Sequence, residues 1–88
     1  MEEEWCAIDD RYFISSAGRI MSRNKELKQA TLKGFKVVNL HGVKYVHRLV
    51  AEYFLDNPSG LPQLMHLDGD KSNNHVSNLK WVDFIGSR

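Results

Sequence analysis

Three features of the sequence predict an α+β fold. Strand-like alternation is confined to its first half, one short stretch near the middle has helical periodicity, and a polar loop near the end is flanked by two short apolar runs. At 88 residues the chain has room for one hydrophobic core, so residues 1–88 are expected to form a single domain. Within it, residues 1–45 form a β-rich, basic part, and residues 46–88 hold the helix and the loop flanked by strands. With 42% apolar and 26% charged residues, the composition is that of a globular protein and excludes a disordered tail.

The elements follow in order. Tyr12-Phe13-Ile14-Ser15 and Gly18-Arg19-Ile20-Met21-Ser22 read as a hairpin, with Gly18 supplying the backbone freedom of a tight reversal. Residues 23–31 are polar and read as a loop. Leu32 to Leu40 alternates basic or polar with apolar residues, and His41-Gly42 then turns the chain into Lys44-Tyr45-Val46, a second hairpin. Leu49, Val50, Tyr53 and Phe54 recur at helical spacing, which predicts a helix from His47 to Leu55, stopped by Asn57-Pro58-Ser59-Gly60. Leu64-Met65-His66-Leu67 and Lys80-Trp81-Val82 read as strands around a turn-rich loop. Asp83 is placed to cap a last helix that has only Phe84 to Arg88 to use. Trp5, Phe54 and Trp81 are expected in the core, where aromatic side chains supply much of a small domain's burial.

Charge is unevenly distributed behind a net of +1. Residues 1–10 carry five acids and no base, whereas residues 11–48 carry nine bases against Glu26 alone. Spaced cations on strands suit a phosphate-facing surface, because each can displace a condensed counterion from nucleic acid, although a solvated basic face would read the same way. Arg19, Arg23, Lys25, Lys33, Lys36 and Lys44 are the candidate contacts. With Cys6 the only cysteine, no internal disulfide or thiolate cage can form, which fits a reducing compartment. The opening residues lack a secretory layout and no apolar run approaches the roughly 20 residues that span a bilayer, so a cytoplasmic location without membrane contact is expected.

The densest polar segment is His66-Leu67-Asp68-Gly69-Asp70-Lys71-Ser72-Asn73-Asn74-His75-Val76-Ser77-Asn78-Leu79-Lys80-Trp81. It resembles the HNH endonucleases of bacteriophages and introns, whose finger reads His, two residues, Gly-Asn, two residues, Asn-Asn, three residues, Asn-Leu, one residue, Trp. The resemblance extends upstream through Val46-His47-Arg48-Leu49-Val50-Ala51, Phe54 and Asn57-Pro58. Trp5, Tyr12 to Ser16 and Gly18-Arg19 resemble the NUMOD4-type module often fused ahead of the finger. The implied fold has small amino-terminal β-hairpins, a short helix and a ββα-metal (His-Me finger) motif, here with a truncated last helix.

In this family the finger histidine takes a proton from water while a divalent cation stabilises charge on the phosphate. By resemblance His66 is that general base, and Mg²⁺ or Mn²⁺ would be the cofactor of an active enzyme. The residue before the histidine is typically Asp, and here it is Met65, a thioether ill suited to a hard cation. The second ligand position falls on Ser87. Asp68 and Asp70 are further candidate ligands, although loop carboxylates more often cap backbone N–H groups. Asn74 and Asn78 read as scaffold amides that tie loop to strands.

His47 reads as a residue that packs and caps, His75 as an exposed loop residue, and Tyr45 and Phe35 as sheet packing in preference to base stacking. The expected function is therefore that of an HNH-like pseudoenzyme of phage or mobile-element type. It would bind DNA, or a host or phage nucleic-acid enzyme as regulator or inhibitor, without cutting. The alternative is an active metal-dependent endonuclease or nickase. Oligomeric state is left open.

Overall fold

The computed structural model describes residues 3–83. Over these residues the fold is α+β, with three small antiparallel sheets gathered around one α-helix. The first sheet has the order β1 (Trp5–Ala7), β2 (Tyr12–Ser15), β3 (Ile20–Ser22). In the β1–β2 turn, Asp9 Oδ1 accepts from the backbone N–H groups of Arg11 and Tyr12. In the β2–β3 turn the buried Ser15 hydroxyl accepts from the N–H groups of Ala17 and Arg19, and Gly18 adopts φ +87°. Ile14 and Ile20 face each other across the ladder, both fully buried.

The second sheet has the order β4 (Ala30–Leu32), β5 (Phe35–Asn39), β6 (Val43–Tyr45). Lys33 and Gly34 join β4 to β5 with φ of 55° and 88°, the two-residue turn whose twist matches that of paired strands. Part of the segment read from sequence as a loop is thus strand. Ala30, Thr31 and Leu32 are all exposed, so β4 has no alternation of burial to betray it. β1 went unread for a similar reason: only Cys6 is half-buried within it.

The helix α1 spans Val46–Phe54, one residue earlier than expected, and buries Val46, His47, Val50 and Ala51 on one face. Leu55 is already extended, and its N–H closes on the Ala51 carbonyl. No side chain caps the first turn, so His47 packs there but does not cap. After α1 come β7 (Gln63–His66), one 3₁₀ turn at Val76–Asn78, and β8 (Leu79–Val82). β7 and β8 pair antiparallel, with His66 opposite Leu79 and Met65 opposite Lys80.

The core joins Ile14 and Ile20 of the first sheet, Val38 of the second and Leu40 just after β5, Val46, Val50 and Ala51 of α1, and Leu64 and Leu79 of the finger hairpin. One contiguous core drawn from every sheet fixes the finger hairpin against the amino-terminal strands. Phe54 and Trp81 pack on its edge, with Trp81 Nε1–H donating to the Leu55 carbonyl at 3.4 Å. Trp5 corrects the sequence reading: it is 41% exposed on an edge strand that contains no buried residue, and the Arg19 guanidinium lies 5.5 Å from its ring centre. The last helix expected from Phe84 lies outside the described residues.

Candidate functional site

His66 ends β7, and its imidazole is fixed from the loop side by a buried amide. Asn74 Oδ1 lies 2.8 Å from His66 Nε2. An amide oxygen can only accept, so Nε2 carries a proton, and in the neutral ring Nδ1 then holds the lone pair. Asn74 is itself held from behind. A Cβ added to Gly18 would come within 3.0 Å of Asn74 Cβ, and the Val76 N–H donates to the Ser16 carbonyl at 2.7 Å. The amino-terminal hairpin thereby backs the finger loop.

The loop between β7 and β8 is closed by its own side chains. Asp68 Oδ1 accepts from the Asp70 N–H at 2.8 Å and from Asn78 Nδ2 at 2.9 Å, and Oδ2 accepts from Asn73 Nδ2 at 2.9 Å. Asn78 returns its oxygen to the Asp68 N–H at 3.1 Å and also donates to the Asn73 carbonyl. Asp70 Oδ1 accepts from both the N–H and the hydroxyl of Ser72. These donors hold both carboxyls below the usual carboxylate range: Asn73 foremost for Asp68, and the Ser72 hydroxyl foremost for Asp70. His75 Nδ1 accepts from the Ser77 N–H and starts the 3₁₀ turn.

Behind His66 stands a second imidazole whose place there no local pattern indicates. His47, 7% exposed, lies with its ring centre 5.1 Å from that of His66. It stacks on Phe35 at 4.9 Å and 23°, with Tyr45 edge-on at 5.6 Å. Its Nδ1 is buried without a hydrogen-bond partner among the described residues. Burial, then the neighbouring His66, then Arg48 lower its pKa from 6.5 to about 4, so it is neutral at physiological pH. The contact joins the first turn of a helix to the end of a distant strand, and sequence spacing carries no trace of it.

The candidate metal ligands differ in what they have left to offer a hard divalent cation: Asp70 uses only Oδ1 in its bonds to Ser72. Met65 offers only a thioether, and Asp68 spends both oxygens on the loop's own N–H groups. No group of three or more His, Cys, Asp or Glu residues able to hold an ion occurs among the described residues, and Ser87 lies outside them.

The six candidate cations have different surroundings. Arg19 is ion-paired to Glu3 and Glu26, each at 3.0 Å. Arg23 donates to the Asp10 carbonyl and Lys36 to the Thr31 hydroxyl, while Lys25, Lys33 and Lys44 are exposed. Phe35 is engaged by His47 and by Lys71, whose ammonium lies 4.7 Å from its ring centre, which disfavours base stacking on that ring. No helix among the described residues is long and apolar enough to cross a membrane.

No family model matches the chain. It is 40% identical over 82 residues to an uncharacterized HNH endonuclease, L245, of Acanthamoeba polyphaga mimivirus, an alignment covering 85% of this chain and 25% of that protein. It is 36% identical over 81 residues to YosQ, an SPbeta prophage-derived protein of Bacillus subtilis (strain 168) assigned as an HNH homing endonuclease, covering 81% and 46%. In three dimensions it superimposes on the HNH homing endonuclease I-HmuI with a TM-score of 0.75 at 35% identity. The chain is similar to HNH endonucleases. The HNH likeness covers 90% of this chain and 52% of the I-HmuI chain, whose structure concerns DNA binding and cleavage. This chain thus spans between about a quarter and half the length of the HNH proteins described here.

Proposed function

We propose that this chain is an HNH-family domain that binds DNA and does not itself hydrolyse it. The observation that carries this reading is the pairing of a well-held His66 with a surrounding in which no group of three His, Cys, Asp or Glu among the described residues could hold an ion: Met65 precedes the histidine and Asp68 is bonded into its own loop. A finger that keeps the amide framework of Asn74 and Asn78 but not the ligands retains a shape for recognition. Exposed Lys25, Lys33 and Lys44 would supply cations for the phosphate backbone.

One observation favours cleavage instead. The Asn74 bond leaves His66 Nδ1 free to accept a proton from water, the first act of a hydrolytic general base. Two experiments on the purified chain separate the readings. Titration with duplex DNA at low salt is expected to show binding, and a supercoiled-plasmid assay with Mg²⁺ or Mn²⁺ is expected to show no nicking. Nicking that disappears in His66→Ala would establish the nuclease reading, and a flat binding isotherm would remove the DNA-binding one. Nicking gained by Met65→Asp would show that this position is the ligand position of the finger.

A further inference from the structure

Lys71 leaves the finger loop near its tip, and its side chain is guided back toward the second sheet. Gly34, at φ +88°, provides the passage: a Cβ there would meet Lys71 Cδ at 3.2 Å. The ammonium comes to rest 4.7 Å from the centre of the Phe35 ring, which is itself steadied by stacking on His47. Lys71 has no ion-pair partner among the described residues, unlike Arg19. A cation held over a ring is attracted by the ring's quadrupole and keeps its N–H donors for an oxyanion.

Lys71 and His66 line one cleft of about 220 Å³, with Phe35, Leu64, Met65 and Gly69 as its other walls. One cation and one imidazole set among apolar walls suit a phosphodiester: a non-bridging oxygen meets the ammonium while the sugar lies against Leu64 and Met65. The geometry points to Lys71 as the group that seats a DNA phosphate beside His66, with Phe35 positioning it. This rests on the DNA-binding reading above and names the contact at the finger itself. It also offsets the two loop carboxylates, of which Asp68 turns both oxygens and Asp70 its Oδ1 to donors within the loop.

The test is fluorescence anisotropy with a labelled DNA duplex across a salt series, on the full chain. Lys71→Gln is expected to lower the slope of log affinity against log salt by about one, the loss of a single phosphate contact, and Lys71→Arg to preserve it. Phe35→Leu is expected to keep the slope but weaken binding about two- to fivefold, because the cation remains and its platform does not. Circular dichroism melts would confirm that each variant is folded. Binding by the wild type with a slope and affinity unchanged in Lys71→Gln overturns the assignment and leaves the DNA-binding reading standing. Absence of wild-type binding overturns both.

Discussion

Asp68 and Asn78 hold each other twice across the mouth of the finger, the backbone N–H of Asp68 donating to the amide oxygen at 3.1 Å and the amide nitrogen returning to the carboxylate at 2.9 Å. The same nitrogen reaches the Asn73 carbonyl, so a single buried side chain ties both ends of the loop to its middle. Asn78→Ala leaves a half-buried N–H and a carbonyl without their partner and is expected to cost about 2–3 kcal/mol. Urea denaturation measures it, and a loss within a few tenths of a kcal/mol would show that water replaces the amide.

The pH dependence of stability should be dominated by His47 between pH 6.5 and about 4. Above pH 6.5 the residue is neutral in folded and unfolded chains alike and contributes nothing to the dependence. Below it, the unfolded chain takes up a proton that the buried ring refuses, so stability declines until the folded-state pKa near 4 is passed. Asp68 and Asp70 act in a lower window. Their depressed folded-state values contribute stability that is present above the unfolded carboxylate range and lost as pH falls through the folded values. His47→Phe keeps the stack on Phe35 and should flatten thermal melts in the upper window while leaving the acid-side fall in place. Equal slopes in the two proteins would place the titrating group elsewhere.

Gly18→Ala is expected to destabilise the chain by about 1–3 kcal/mol, since it imposes a positive φ on an L-residue. The new methyl also drives toward the Asn74 Cβ and carbonyl, at 3.0 and 3.1 Å. Chemical denaturation gives the magnitude. Amide shift changes at residues 66 and 74 would show that the strain reaches the finger, and changes confined to residues 15–20 would show that it does not.

The tautomer of His66 is open to direct measurement. Nitrogen chemical shifts of the imidazole should report Nε2–H in the wild type and a mixture in Asn74→Ala, because the acceptor that selects the tautomer is gone. An Nδ1–H form in the wild type would contradict the role given to Asn74.

The first hairpin, the helix and the finger strands could be read from local patterning because each has apolar residues at a regular spacing: Ile14 with Ile20, Leu49 and Val50 with Tyr53 and Phe54, and Leu64 with Trp81. β1 and β4 could not, since neither contains a fully buried residue. In the site, loop capping by Asp68 follows from what a short carboxylate does near turn N–H groups. The apposition of His47 and His66 and the passage of Lys71 over Gly34 are long-range facts of packing, and no residue's own type announces them. Trp5 shows the converse, an aromatic whose type suggests burial but which lies 41% exposed on an edge strand where Cys6 is the residue packed against the core.

The hydrogen bond from Val76 to the Ser16 carbonyl bears on how such fingers can be recombined among proteins. It is made by backbone atoms, so the hairpin's sequence is free to drift wherever its path is preserved. The finger cut out alone would present that N–H and the flank of Asn74 to water. A graft of this finger onto another scaffold therefore has to carry a strand turn in the place of residues 15–19, whatever side chains that turn bears.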